Sequence, residues 1–487
     1  MVAIRLCLIY NQGFAAILFL LDDSYMEFFF KIAETCSIHK IYGLEQSFII
    51  NQINGCWCVL DDKYISFISA LIGKTICSND LHLDNELFSL LRKLFFQGIL
   101  EINNKTYLIE KPAEEVDHSL TIVVNTTNRC NIHCKYCYAS TNIDRNETFS
   151  TASIVDDITR LAGDKENRDI SIVFHGGEPL LCWNDIAEMV VKLNSKFRNI
   201  SYSIQTNGIL INKEIIDFIK THNFKIGISL DGYDKQTNIN RFGEDKKDCL
   251  KKVLLNINEL IFNDIKIGVL SVITDKNYKE LLNSVIFFVE KGVKYFGFNF
   301  FLSKGRGADN KTEIPIHELV KIYEKLARYI NDYNAKHELK DYISERTVSV
   351  LIYSLSHKPL GACFSTPCSA GENLYAIDVN GDVYLCDEFI GDSNFCIGNI
   401  RDSKFSTNDI RNDNYTNLRC RSNDSIEKCK ECPVSKVCPF KCPSDSFYRT
   451  GDLFKPHSMC EFTQLIISKY MYLLQSNIIN SKHFIFN

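Results

Sequence analysis

The run Thr121-Ile-Val-Val-Asn125 leads through Thr126-Thr-Asn-Arg129 into Cys130-Asn-Ile-His-Cys134-Lys-Tyr-Cys137, three cysteines in C-x3-C-x2-C spacing on a loop that leaves a β-branched stretch. Three thiols at a strand end mark a place for chemistry. A four-iron cluster held by four cysteines is coordinatively closed and passes electrons only, whereas three thiolates leave one iron open to a substrate or cofactor. The competing readings are three unrelated thiols or a zinc knuckle, whose fourth ligand would have to be His133, close in sequence but awkwardly spaced.

Outward from this motif, further β-branched runs lie near 170–174, 201–205, 225–230, 266–273 and 295–300. Helix-length amphipathic runs separate them near 154–161, 183–196, 213–221, 250–262 and 278–291. Six β/α units in succession predict an α/β fold with a parallel sheet, open or curled into a partial (βα)6 TIM-like barrel, its ligands at the carboxyl ends of the strands. This core is expected over 116–335. Before it, residues 1–115 carry a possible hairpin at Asn54-Gly55. A helical stretch from Asp84 to Gln97, closed by Gly98 and followed by the strand-like Ile99-Leu-Glu-Ile102, gives a winged-helix-like module. After the core, 336–362 reads as a helical bridge and 363–487 as a cysteine-rich module, turn-rich and expected to be held by metal more than by a hydrophobic core.

The 487 residues leave room for about three domains, and 45% hydrophobic with 24% charged residues is the composition of a folded globular chain. A net charge of −5 supplies no bulk positive field, so nucleic acid is not an expected partner. The apolar run after Arg5 is interrupted by Asn11 and Gln12, meets Asp22 and Asp23, and has no small-residue cleavage site, so it reads as buried strand or helix. No stretch reaches the roughly 18 apolar residues of a membrane span. A cytoplasmic, reducing setting follows, with no membrane partner and with the 20 cysteines free for metal and not for disulfides.

Cys130, Cys134 and Cys137 with the aromatic Tyr136 resemble the signature of radical S-adenosylmethionine enzymes. His175-Gly176-Gly177-Glu178-Pro179, after the second strand, resembles that family's Gly-Gly-Glu-Pro turn, where backbone and carboxylate receive the cofactor's methionine ammonium group. Gln205-Thr-Asn207-Gly208 and Ser229-Leu-Asp-Gly232 resemble further elements after the third and fourth strands. The resemblance implies cofactor contacts from Tyr136, Gly176, Gly177, Glu178, Asn207, Ser229 and Arg241. At Arg241 the sequence departs from the pattern: Phe242-Gly-Glu-Asp-Lys-Lys247 replaces the Gly-x-Gly-Ser-Phe-like segment that usually follows.

Cys368-x12-Gly381-x4-Cys386, then Cys429-x2-Cys432-x5-Cys438-x3-Cys442-x17-Cys460, matches the seven-cysteine SPASM extension, which in relatives carries two auxiliary four-iron clusters. Two zinc sites are the physical alternative for such pairs taken in isolation. With Cys363 as an eighth ligand, the resemblance implies Cys363, Cys368, Cys386 and Cys442 around one auxiliary cluster and Cys429, Cys432, Cys438 and Cys460 around the other. The chain would thus hold three 4Fe-4S clusters and S-adenosylmethionine. Cys7, Cys36, Cys56, Cys58, Cys77, Cys182, Cys249, Cys396 and Cys420 are left as small buried hydrophobes. Asp387, directly after Cys386, resembles the base of sulfatase-maturating relatives; the plain alternative is a turn residue.

The family resemblance implies that a reduced cluster cleaves S-adenosylmethionine to a 5′-deoxyadenosyl radical that abstracts hydrogen from an unactivated carbon, with the electron drawn from a flavodoxin- or ferredoxin-type donor. Several peptide-modifying relatives begin with a winged-helix-like element that takes a precursor's leader as an added strand. The expected partner is therefore a precursor peptide with its leader, and the expected reaction is formation of a Cys thioether. The alternatives are formylglycine formation in a sulfatase and, outside catalysis, an iron-sulfur electron carrier.

Overall fold

The computed structural model describes residues 28–81, 84–107, 119–139, 151–162, 169–243, 247–310, 312–356, 362–364, 366–407, 410, 412–440 and 442–484. The apolar run at 5–21 and Cys7 lie outside the described residues. Two compact units are present, Met1–Glu110 and Lys111–Asn487.

In the first unit, strand Gln46–Asn51 pairs antiparallel with Cys36–Lys40 and with Trp57–Asp61. Asn54-Gly55 lies in the second turn, where Gly55 takes a φ of 71°, a conformation open to glycine at no steric cost. Helix Asn85–Phe96 starts at Asp84, whose side chain accepts from the Leu87 N–H, and buries Leu91, Leu94, Phe95 and Phe96. Gly98, at φ 66°, ends it, and the strands Leu100–Ile102 and Lys105–Thr106 form a hairpin. Helix, turn and hairpin thus follow in the expected order. Cys36, Cys56 and Cys58 are buried in this unit's apolar core.

The second unit is built on one sheet. Six parallel strands, β1 (Leu120–Asn125), β2 (Ile170–His175), β3 (Ile200–Thr206), β4 (Lys225–Ser229), β5 (Ile267–Val272) and β6 (Tyr295–Asn299), pair in sequence order. Between them run α1 (Thr151–Ala162), α2 (Trp183–Lys196), α3 (Lys213–Thr221), α4 (Lys247–Phe262) and α5 (Leu281–Glu290). The strands alternate in burial. Ile122, Val124, Ile172, Phe174 and Ile228 are fully buried, each contributing about 1.5–3 kcal/mol of apolar burial, while Ser171, Val173 and His175 on the other face are only half-buried. On that second face Gln205, Gly227 and Gly268 stand side by side in register, and the Gln205 amide lies over Gly227, where a Cβ would meet its Oε1 at 2.0 Å.

Two expectations change here. The 336–362 stretch is not wholly helical. After α6 (Ile316–Asn334), Ser344–Glu345 adds to the sheet beside β6 as β7 before α7 (Arg346–Ser354) begins. Glu345 explains the switch, because its carboxylate accepts from Phe298 N at 3.1 Å and from Val348 N at 2.9 Å, tying the strand edge to the helix start. The cysteine-rich end, in turn, belongs to the same compact unit as the barrel. Strand β8 (Leu374–Ile377) pairs parallel with β1, and β9 (Asp382–Tyr384) and β10 (Cys396–Asn399) extend the sheet antiparallel. This end also has an apolar core of its own, with Ala370, Leu385, Phe389, Phe395, Leu418 and Leu453 buried together around α8 (Asp413–Cys420) and α9 (Pro443–Thr450). Its last helix, α10 (Cys460–Gln475), packs along α6, with the Tyr470 hydroxyl on Tyr323 O at 3.1 Å. No described helix is long and apolar enough to cross a membrane.

Candidate functional site

The loop 126–138 leaves the carboxyl end of β1, and the ends of the following strands grip it. Behind β2, Gly177 N donates to Thr127 O at 2.7 Å and Glu178 N to Arg129 O at 2.8 Å. The contact is so close that a Cβ at Gly177 would lie 1.9 Å from Arg129 O, and one at Gly176, which has a φ of 129°, would lie 2.2 Å from Asn125 Oδ1. The two glycines are therefore required by the approach of the cysteine loop itself. Behind β3, Asn207 Nδ2 donates to Asn131 Oδ1 at 2.7 Å. Behind β4, the Tyr136 hydroxyl donates to Asp231 Oδ2, and Arg241 Nη2 reaches Asp231 Oδ1 at 3.1 Å with its guanidinium 5.6 Å from the Tyr136 ring centre. Past β6, Arg306 Nε donates to Cys134 O at 2.9 Å and Asn310 Nδ2 to Lys135 O at 2.8 Å.

The side chains that resemblance assigns to cofactor contact thus have structural partners. Glu178 is fully buried, and its carboxylate accepts from Leu180 N (3.1 Å), Thr206 Oγ1 (2.6 Å) and Asn207 N (2.8 Å); burial nevertheless pushes its carboxyl up to about 7. Ser229 Oγ accepts from Gln205 Nε2 at 2.7 Å. Arg241 is buried, and its Nε has no hydrogen-bond partner among the described residues. Cys130 and Cys134 are buried and Cys137 half-buried; Cys134 lies within electrostatic reach of both others, and burial pushes its thiol up to about 12 against the pull of Arg241.

Seven of the eight C-terminal cysteines assigned to clusters fall into two neighbourhoods. Cys363 lies in electrostatic reach of Cys442 and Cys368, and Cys386 in reach of Cys368 and Cys442. Cys432 lies in reach of Cys460 and Cys429, and Gln464, one turn beyond Cys460, points its amide Nε2 at Cys432 Sγ (3.3 Å) and Cys460 Sγ (3.7 Å). Cys438 bonds Phe440 O at 3.7 Å. Asp387 stands between the two ends of the unit, in electrostatic reach of His175 and Tyr138 on the barrel side and of Cys363 and Cys386 on the other. Glu388 beside it has its carboxyl pushed up to about 8 by burial and by Asp387, and its Oε2 is an orphaned buried acceptor among the described residues. Of the cysteines expected to be ordinary buried thiols, Cys182 is buried, whereas Cys77, Cys249 and Cys396 are half-buried and Cys420 is exposed, so these four depart from the expectation.

A sheet whose strand ends converge on a three-cysteine loop, with further cysteine sets beside it, defines an iron-sulfur enzyme of the partial-barrel type. Residues 124–287 match the radical SAM superfamily model and residues 368–433 the SPASM iron-sulfur cluster-binding domain. An uncharacterized protein of Methanocaldococcus jannaschii is 32% identical over 276 residues, spanning 56% of this chain and 86% of that protein. The cysteine-type anaerobic sulfatase-maturating enzyme of Clostridium novyi is 26% identical over 289 residues, 56% of this chain and 75% of the relative. Among solved structures, anSMEcpe with bound AdoMet and Cp18Cys peptide superposes with a TM-score of 0.61 at 21% identity, over 74% of this chain and 98% of that one. Streptococcus suis SuiB bound to its precursor peptide SuiA does so with a TM-score of 0.54 at 18% identity, over 89% of this chain and 100% of that one. The chain belongs to the radical SAM superfamily and carries a SPASM domain.

That membership implies S-adenosylmethionine and four-iron clusters, and the residues present fit them. The loop 126–138 offers three thiols and no more, and the unpartnered Arg241 Nε beside it is a donor available to a bound group. Among the described residues no group of three or more His, Cys, Asp or Glu is arranged around a single metal ion. Sequence reasoning missed Asp231, Arg306, Asn310, Glu388 and Gln464 as site residues. Asp231 lay inside a quoted motif and Glu388 next to Asp387; Arg306, in a glycine-rich loop, and Gln464, in a helical run, gave no signal.

Proposed function

We propose that the chain is a maturase of a ribosomally made peptide, joining a Cys sulfur to a neighbouring residue's carbon in a thioether. The observation that carries this reading is the separately folded unit ahead of the barrel, with its helix and hairpin, which a catalyst acting on a free sulfatase motif does not require. The match to SuiB along 89% of the chain supports it, since that protein's structure holds a precursor peptide.

When bound, S-adenosylmethionine on the reduced cluster supplies the hydrogen-abstracting power. Cys130, Cys134 and Cys137 would hold that cluster. Tyr136, Gly176, Gly177, Glu178, Asn207, Ser229 and Arg241 would frame the cofactor, some by direct contact and others by fixing the loop. Cys363, Cys368, Cys386 and Cys442, and separately Cys429, Cys432, Cys438 and Cys460, would hold two auxiliary clusters. Asp387, in electrostatic reach of His175 and of Cys386, would take the substrate's proton.

Formylglycine formation is the second reading, favoured by the sulfatase-maturating relative and by Asp387 after Cys386. The full chain, reconstituted and given a precursor peptide with and without its leader, decides between them. For a thioether-forming maturase, modification depends on the leader and a free Cys-x-Pro-x-Arg peptide remains untouched; efficient conversion of that short peptide would favour the sulfatase reading.

A further inference from the structure

The loop after β6 carries no motif, yet within the seven residues from Lys304 to Asn310 it touches two cysteine-bearing segments. On one side Arg306 donates from its backbone N to Cys137 O and from Nε to Cys134 O, both at 2.9 Å, and Asn310 donates to Lys135 O. A side chain at Gly307 would meet Leu302 O at 2.6 Å and Tyr136 O at 3.3 Å, so the turn Gly305–Asp309 lies flat against the cysteine loop. On the other side Lys304 Nζ donates to Glu388 O at 2.6 Å and to Ile390 O at 2.9 Å, two and four residues beyond Cys386. Its ammonium lies 4.8 Å from the Tyr448 ring centre, on the helix that follows Cys442, and 5.9 Å from the Tyr138 ring centre, next to Cys137.

We propose that Lys304 is a positioning residue, a strut that fixes the first auxiliary cysteine segment relative to the cysteine loop of the radical site. This rests on the reading above, in which both cysteine sets hold clusters. Lysine chemistry suits a strut, since its long stem spans the gap between two loops and an ammonium with three donors can hold two carbonyls at once. Because these bonds go to the main chain, the strut fixes where Asp387 and Glu388 stand without a hydrogen bond to either side chain. A displacement of about 1 Å between reacting groups costs on the order of a hundredfold, so the length of this strut bears on how often a radical event ends in product.

Lys304→Met and Lys304→Arg in the full, reconstituted chain test this. The readouts are iron content, the magnetic dipolar broadening between reduced radical-site and auxiliary clusters, and the ratio of 5′-deoxyadenosine to modified peptide, with a Cys-containing peptide encoded beside the gene as probe. The Met variant is expected to keep its iron, alter the broadening and raise the ratio on the order of tenfold or more, while the Arg variant stays close to wild type. Unchanged broadening and ratio in an iron-replete Met variant would overturn the strut. If the Met variant loses iron, the Arg variant decides: wild-type values support the strut, and equal impairment overturns it. Wild-type enzyme without auxiliary iron would instead overturn the parent reading.

Discussion

Gly177→Ala adds one carbon at the tightest contact of the radical-site loop. That Cβ would sit 1.9 Å from Arg129 O and 2.5 Å from Arg129 C, so the loop backbone has to retreat by roughly 1.5 Å to restore ordinary contact. Both groups are main chain, so no side chain can swing aside. Retreat breaks the bonds from Gly177 N to Thr127 O and from Glu178 N to Arg129 O. Overpacking of about 1–3 kcal/mol and two lost hydrogen bonds of about 1 kcal/mol each give a local cost of about 3–5 kcal/mol. Cys130 follows Arg129 directly, so the first thiol moves with the loop. The assay is iron content and 5′-deoxyadenosine formation after anaerobic reconstitution, beside Cys134→Ala and a control, Gly268→Ala, whose Cβ would find only ordinary contacts from 3.7 Å outward. Gly177→Ala should behave like Cys134→Ala, losing cofactor cleavage while auxiliary iron stays, and Gly268→Ala should behave like wild type. Full cleavage by Gly177→Ala would refute the claim that the glycine turn is the platform of the cysteine loop.

Asp231→Ala removes the acceptor shared by Tyr136, Arg241 and Val272 N and leaves a buried guanidinium without its ion pair, which should cost about 3–5 kcal/mol in urea unfolding; a loss under about 0.5 kcal/mol would contradict the role given to Asp231. Gln464→Leu should lower the potential of the cluster assigned to Cys429, Cys432, Cys438 and Cys460 by tens of millivolts with iron unchanged, since about 1 kcal/mol of hydrogen bonding to sulfur is roughly 40 mV for one electron; an unmoved potential in a redox titration would exclude the amide as a tuning donor. Glu178 adds a pH dependence. Its carboxyl is raised by burial from 4.5 to about 7, so its contribution to stability is complete below about 4.5 and is lost as pH climbs through about 7, a span of about 3 kcal/mol. Glu178→Gln should flatten the slope of stability between pH 5 and 7.5, and an unaltered slope would assign it to other groups.

The barrel was legible because its strands announced themselves by β-branched composition, the first four also by a motif at the carboxyl end; helices Trp183–Lys196 and Lys213–Thr221 fall on the boundaries their periodicity gives. The pairing of Ser344–Glu345 was not legible, because two residues carry no period and Glu345 looks like any surface acid until its carboxylate is seen capping a helix. The last quarter misled for a related reason. Its turns and cysteines dominate the sequence, while the buried Phe389, Phe395, Leu418 and Leu453 are scattered singly across more than sixty positions and become a core only when folded. Cysteine spacing gave candidate ligands, but not what orients them. Arg306, Asn310, Lys304 and Gln464 act through distances of many residues, and a polar residue in a loop carries no mark of its partner. The motif glycines had the opposite fate: expected at the cofactor, they are demanded first by the loop backbone of Thr127 and Arg129.

Whether this radical SAM chain oxidatively modifies a peptide is read straight from the peptide's mass. A Cys-containing peptide encoded beside the gene is incubated anaerobically with the reconstituted, reduced full chain and S-adenosylmethionine, then alkylated and weighed by mass spectrometry. The expected result is a loss of about two mass units per event, with the affected Cys resistant to alkylation, because one hydrogen atom would leave to the cofactor-derived radical, the thiol proton to a base and one electron to an auxiliary cluster held by the C-terminal cysteines. An unchanged peptide alongside continued 5′-deoxyadenosine production would contradict the peptide-maturase reading, keeping the radical chemistry and removing the peptide from it.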